Sequence, residues 1–135
     1  MTKFKFEILT PDGRFADAPS DVDFLSLMGA SGSLGVYAGH CSLVTTVPPT
    51  VAKLQVGASK RFYAVGGGIL RVRESGAVLV VDSVETTKTL DVARAQAARK
   101  RAEDRLAAAS KDSAIDAARA EGALRRALAR IELAG

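Results

Sequence analysis

The sequence predicts an α+β chain: an N-terminal antiparallel β-sandwich or barrel followed by a C-terminal antiparallel α-helical hairpin. Two observations divide it this way. Every Phe and Tyr lies before Leu90, in short alternating apolar runs separated by turn residues. From Asp91 to Leu133 there is no aromatic and no proline, a single glycine (Gly122), and a predominance of alanine. Many short strands at regular spacing argue for a small sandwich or barrel, and an Ala/Leu/Arg/Glu block argues for helix. The expected division is 1–86 for the sandwich and 87–135 for the hairpin, with the boundary at Glu85–Leu90.

Taken in order, Phe4, Phe6 and Ile8 alternate with Lys3, Lys5 and Glu7, the pattern of a half-buried strand. Pro11-Asp12-Gly13 is a turn, and a second strand runs over Val22–Leu27 until Gly29 ends it. Further strands are expected at Ser42–Val47, Thr50–Val56, Arg61–Val65, Ile69–Arg73 and Ala77–Val81. Gly57-Ala58-Ser59 and Glu74-Ser75-Gly76 separate two pairs of them as hairpin turns. The Gly29–His40 stretch reads as a tight connecting loop that uses positive φ. Gly66-Gly67-Gly68 reads as a bulge or a close backbone approach.

The helical block breaks at Ser110-Lys111-Asp112-Ser113, giving helices at about Val92–Ala109 and Ala114–Leu133. Asp91 is placed to cap the first, and Ser113 with Asp116 resembles a capping box for the second. The two helices repeat each other. Aligning Arg94 with Arg119 also aligns Ala95 with Ala120, Ala98 with Ala123, Arg101 with Arg126, Ala102 with Ala127 and Arg105 with Arg130. At about 100° per residue, Ala95, Ala98, Ala102, Leu106 and Ala109 form one seam, and Ala120, Ala123, Ala127 and Ile131 form the other. Arg94, Arg101 and Arg105 flank the first; Arg119, Arg126 and Arg130 flank the second. Antiparallel pairing through the seams puts both arginine stripes on one broad face, with Glu103, Glu121 and Glu132 on the far side. Alanine methyls bury little area, so such a hairpin is marginal alone and needs a support. A structural hairpin with a solvated charged face explains the periodicity equally well.

Composition limits the function. The 135 residues are 47% hydrophobic, enough for one compact domain plus the hairpin, with a net charge of +4 carried by the hairpin. One cysteine, Cys41, makes neither an internal disulfide nor a zinc site alone, which suits a reducing compartment. There is no signal-peptide pattern, and no apolar run approaches the ~20 residues of a membrane span, so a membrane role is expected to be peripheral.

Catalytic machinery is not in view. The Gly29–His40 stretch has no following Lys-Ser/Thr and opens no helix, so a phosphate loop lacks its parts. His40, the one histidine, has no orienting acid at a triad spacing and reads as structural or interfacial. Asp12, Asp17, Asp21 and Asp23 lack metal-loop spacing, so no metal is expected. A basic helical hairpin that grips nucleic acid is the rival reading. Against it stand the small charge excess and the absence of an aromatic RNA-recognition motif.

Gly32-Ser-Leu-Gly35-Val-Tyr-Ala-Gly39-His40, Phe62-Tyr-Ala-Val-Gly-Gly-Gly-Ile69-Leu-Arg-Val72, Val78–Asp82, Leu90-Asp-Val-Ala-Arg-Ala95 and Arg101-Ala-Glu103 together resemble the epsilon subunit of F-type ATP synthases in order and spacing. The resemblance covers almost the whole chain. It departs at Ala38, where proline is usual, at Val47–Thr50, where a Leu-Lys-Pro-Gly-like turn is usual, and at Arg71, where an acid is frequent. It implies a non-catalytic rotor subunit, not an enzyme by itself. The sandwich of such a subunit binds the gamma subunit and sits on the ring of c subunits, with Gly32, Gly35, Tyr37 and His40 as the implied interface. Its helices fold against the sandwich or extend toward the catalytic alpha–beta head and inhibit ATP hydrolysis, with Arg101, Arg105 and Arg119 as a regulatory basic face. No cofactor is required. Leu90-Asp91-Val92-Ala93-Arg94-Ala95 matches a motif by which some members bind ATP as a regulatory ligand, and the implied contacts are Glu85, Asp91, Arg94, Arg126 and Arg130. Asp91 as a helix cap alone is the competing reading. The implied location is peripheral, on the cytoplasmic face of a bacterial plasma membrane, with organellar inner or thylakoid membranes as alternatives.

Overall fold

A computed structural model describes residues 2–39, 42–112 and 115–134. Eleven strands are described: β1 (Phe4–Thr10), β2 (Gly13–Arg14), β3 (Asp21–Val22), β4 (Phe24–Gly29), β5 (Gly32–Val36), β6 (Leu43–Val47), β7 (Thr50–Val56), β8 (Ser59–Val65), β9 (Gly68–Arg73), β10 (Gly76–Val81) and β11 (Val84–Glu85). Helices α1 (Val92–Ala109) and α2 (Ala117–Ala134) follow. One sheet runs β2-β1-β10-β9-β6 with β3 beside β1, and the other runs β11-β8-β7-β4-β5. The expected sandwich is present. One pairing is parallel: β1 lies alongside β10, from Phe6 opposite Ala77 to Leu9 opposite Val80.

Period-2 alternation builds the core. Phe6 and Ile8 of β1, Leu70 and Val72 of β9, and Ala77, Leu79 and Val81 of β10 point inward from one sheet. Leu25 and Leu27 of β4, Val36 of β5, Leu54 of β7 and Tyr63 of β8 meet them from the other. Each fully buried aliphatic side chain contributes about 1.5–3 kcal/mol, so the inner faces hold the sandwich together. Tyr63 closes one end, edge-on to Phe15 at 6.0 Å between ring centroids, and its hydroxyl donates to the Asp17 carbonyl at 3.3 Å. Buried Asp23 organises the other strand ends. Its Oδ2 accepts from the Gly57 N–H at 2.6 Å, fixing the β7–β8 turn.

The glycine-rich stretch departs from expectation. Gly32–Val36 is strand, paired with β4 from Leu25–Val36 to Gly29–Gly32, not loop. Gly35 has a packing reason: a Cβ there would stand 3.0 Å from the Phe24 ring. Leu34 and Val36 carried the strand signal, half-buried and buried respectively, but the glycines around them obscured it. The close approach expected at the glycine triplet is present. A Cβ on Gly68 would run into the Val80 carbonyl of the neighbouring strand.

Helix α1 has the expected bounds. Helix α2 begins later than expected, at Ala117, because Asp116 is its cap: the carboxylate accepts from the Arg119 N–H at 3.0 Å. Ser113, expected in that role, lies outside the described residues. Ile115 donates its N–H to the Asp112 carbonyl in a turn that precedes the helix. The seams meet as the repeat requires. Ala95, Ala102, Ala120 and Ala127 are buried, and Ala98, Ala123, Leu106 and Ile131 are half-buried. Helix α2 also has a second apolar face. Leu133 packs on Val51 of β7 and Ala64 of β8, with Leu90 beside them, and Ala129 is buried as well. That is the support the alanine hairpin needs.

Candidate functional site

The junction between sandwich and hairpin is built by a tight turn. Thr86 is buried; its N–H donates to Thr89 Oγ1 at 3.0 Å, its carbonyl accepts from the Leu90 N–H at 3.0 Å, and its own Oγ1 accepts from the Lys88 N–H at 3.3 Å. The turn delivers Asp91 to the head of α1, where Oδ1 accepts from the Arg94 N–H at 3.0 Å. Just before it, β11 pairs with β8 and brings Glu85 opposite Ala64. Glu85 Oε1 accepts from Arg130 Nε of α2 at 3.0 Å. This ion pair is about three-quarters covered, with side-chain exposures of 28% and 27%, so water screens it less than a surface pair.

Beside the pair lies a cleft of about 230 Å³, lined by Glu85, Thr89, Asp91, Arg94, Ala95, Ala98, Arg101 and Arg130. Four of the five residues implied as nucleotide contacts are therefore together: Glu85, Asp91, Arg94 and Arg130. Arg126 lies outside that lining. It shares the neighbouring crevice with Arg130, against Ala64, Val65, Gly66 and Ser83 of the sandwich. Arg101, assigned from the sequence to the basic face alone, joins the cleft instead. The small alanines Ala95 and Ala98 leave the floor open, and three guanidinium groups face two carboxylates across it. With Arg130 engaged by Glu85, Arg94 and Arg101 remain, and among the described residues neither makes an ion pair. Such a site suits an anionic ligand that arginine forks can bind in charge-assisted pairs.

The expected single basic face is only partly open to solvent. Arg94, Arg101, Arg105 and Arg119 are exposed, but Arg126 and Arg130 are half-buried because the second apolar face of α2 turns them toward the sandwich. The sequence signal for that turn was Ala129 with Leu133, four residues apart. Glu103 and Glu121 pair within their own helices, with Arg99 at 3.3 Å and Arg125 at 2.9 Å.

The implied interface residues sit elsewhere. Gly32 and Gly35 lie on β5, the edge strand of its sheet. Tyr37 is 55% exposed and stacks on Phe24 with 4.4 Å between ring centroids. His40 lies outside the described residues. Among the described residues, no group of three or more His, Cys, Asp or Glu is placed to hold a metal.

Comparisons with known proteins converge. Residues 3–87 match the family model described as ATP synthase, Delta/Epsilon chain, beta-sandwich domain, and residues 88–135 match the corresponding long alpha-helix domain. Curated relatives include the ATP synthase epsilon chain of Bacillus velezensis, 41% identical over 100% of this chain and 99% of that protein. That of Desulforamulus reducens is 38% identical over 96% of each chain. In fold, the chain resembles one in a structure of the Euglena gracilis mitochondrial ATP synthase (OSCP, F1 and c-ring), with a TM-score of 0.78, 20% identity, and coverage of 93% of this chain and 77% of that one.

Proposed function

The chain belongs to the ATP synthase delta/epsilon family, as an epsilon chain and so a non-catalytic subunit of the central stalk, and from that premise we propose a division of labour between its halves. The sandwich is the assembly module, binding the gamma subunit and resting on the c-ring. The hairpin is the regulatory module. It lies folded on the sandwich in one state and reaches toward the alpha–beta head in another, where it restrains ATP hydrolysis. Among the described residues no helix is long and apolar enough to cross a membrane. The proposed location is peripheral, through the assembly, on the cytoplasmic face of the membrane.

The carrying observation is the way the hairpin is held: a small apolar contact at Leu133 and the Glu85–Arg130 pair, next to the arginine-lined cleft. Few contacts need to be given up for it to leave, and a ligand in the cleft would favour the folded state by its differential affinity. ATP is the proposed regulatory ligand, its phosphates on Arg94, Arg101 and Arg130. Calorimetry on the full chain tests this. Binding of ATP at millimolar concentration or below, lost in Arg94→Ala and weakened in Arg126→Ala, is expected; no heat in the wild type would leave Asp91 and Arg94 as helix-end residues only. The nucleic-acid reading finds no support, since part of the basic stripe is turned inward and the family is that of a rotary synthase.

A further inference from the structure

Strand β8 is bordered by β11 only opposite Ala64 and Val65, and at Thr86 the chain turns away toward α1. Among the described residues, the earlier part of β8, residues 59–63, is therefore a free sheet edge. Backbone N–H and C=O groups on such an edge have no neighbouring strand. Against it lies a cleft of about 390 Å³ that shares no lining residue with the arginine-lined one.

The cations of this cleft come from two segments far apart in sequence. Lys60 and Arg61 belong to the start of β8, and Lys88 to the junction turn. Both faces of the strand contribute, since Lys60 and Phe62 alternate with Arg61 and Tyr63 and the cleft wraps the edge between them. Arg61 is held in place by Tyr63, which is buried, donates to the Asp17 carbonyl at 3.3 Å and accepts from the Arg61 side chain. Lys88 is held through its N–H, which donates to Thr86 Oγ1 at 3.3 Å. Asp17 is the single acidic side chain of the lining, against three cations. Among the described residues, Lys60, Arg61 and Lys88 make no ion pair. Exposed Thr87 adds a hydroxyl, and Phe62, 43% exposed, walls one side.

We propose that this cleft binds a phosphate-bearing anion between Lys60 and Arg61 of the sandwich and Lys88 of the junction, tying the junction turn to β8. Three cations and a hydroxyl that converge from separate segments call for acceptors on several sides of one group. A phosphate offers them, with the guanidinium fork on two oxygens and the ammonium groups on the others, whereas a carboxylate has only two oxygens. An extended acidic peptide added to the free edge fits less well, because lysines on an edge strand oppose strand addition. The proposal uses other residues than the ATP reading above and stands or falls apart from it. Two sources carry the chemistry: a soluble diphosphate and the headgroup of an anionic lipid.

The test is amide NMR on the isotope-labelled full chain, titrated with inorganic pyrophosphate. Saturable shifts at residues 60–63 and 86–88 are expected at millimolar concentration or below, and they should persist in Arg94→Ala. Shifts at residues 91–98 would report the arginine-lined cleft instead and should vanish in that variant. Lys60→Gln with Lys88→Gln should weaken the first set by about tenfold or more and spare the second, with a wild-type thermal midpoint showing that the variant folds. Co-sedimentation with phosphatidylglycerol vesicles separates the sources. Retention lost in the double variant, without pyrophosphate shifts, assigns the lipid headgroup; pyrophosphate shifts without retention assign a soluble phosphate. The proposal is overturned if sodium chloride at equal ionic strength reproduces the shifts, if the double variant binds as the wild type does, or if neither pyrophosphate nor vesicles bind. A glutamate-rich peptide that binds where pyrophosphate does not would overturn it in favour of strand addition.

Discussion

At Gly68 the neighbouring Val80 carbonyl occupies the place of a Cβ, so no other residue fits without separating β9 from β10. Gly68→Ala should therefore cost about 1–3 kcal/mol or more, as overpacking does, read as a lower urea midpoint at unchanged slope. Asp23 acts through one short charged contact to the Gly57 N–H, and Asp23→Ala should lose about 1.5–3 kcal/mol by leaving that turn amide unpartnered. Tyr63 gives the chain an alkaline limit. Burial raises its phenol above the ordinary 10.0, and the neighbouring Arg61 only partly offsets this. The folded state then holds the proton more tightly than the unfolded one. Tyr63 therefore stabilises fully below pH 10.0, and its contribution is lost as pH climbs through the raised folded value. Tyr63→Phe should remove that part of the alkaline decline in a stability–pH titration; an unchanged decline would assign it to the lysines.

Among the elements, what was legible in the sequence followed periodicity. Phe4, Phe6 and Ile8 announced β1, and the alanine repeat announced which faces of α1 and α2 would meet, because both depend on spacing alone. What depends on competition between local signals was obscured. The β5 strand was masked by Gly32 and Gly35, and the start of α2 went to the stronger carboxylate acceptor at Asp116. The candidate site was legible in part. Asp91 and Arg94 were readable as a helix start, but the turn of Arg126 toward the sandwich is set by Leu133 meeting Val51 and Ala64, a contact remote in sequence. Asp91 has two readings that substitution separates. Asp91→Asn keeps a good cap and Asp91→Ala removes about 1 kcal/mol of it. If the residue only caps, Asn should bind ATP as the wild type does; if its charge serves the cleft, Asn should lose affinity with α1 intact by circular dichroism. The Glu85–Arg130 pair belongs to this scale too. Arg130→Ala should raise hydrogen exchange in α2 several-fold while leaving β1 and β10 protected.

For the molecule as a whole, the sandwich holds the large core and the hairpin leans on it, so the two should separate cleanly. A chain of residues 1–86 is expected to be soluble and to join the central stalk; aggregation of that fragment would show that α2 is part of the core. Reversing Arg119, Arg126 and Arg130 to Glu in the full chain should leave assembly intact and change the rate of ATP hydrolysis by the complex. An identical rate, together with no effect of deleting the hairpin, would exclude inhibition. The parallel pairing of β1 with β10 sets the order in which all this can form. The first strand made finds its long neighbour only in Gly76–Val81, near the end of the sandwich, so most of the domain must exist before that sheet can close. Synthesis from the N-terminus leaves Phe4–Thr10 waiting through eight other strands, and any chain released before Val81 keeps that apolar strand unpartnered on its β10 side. The helices come after closure in the chain order, so the hairpin is added to a platform that is already finished.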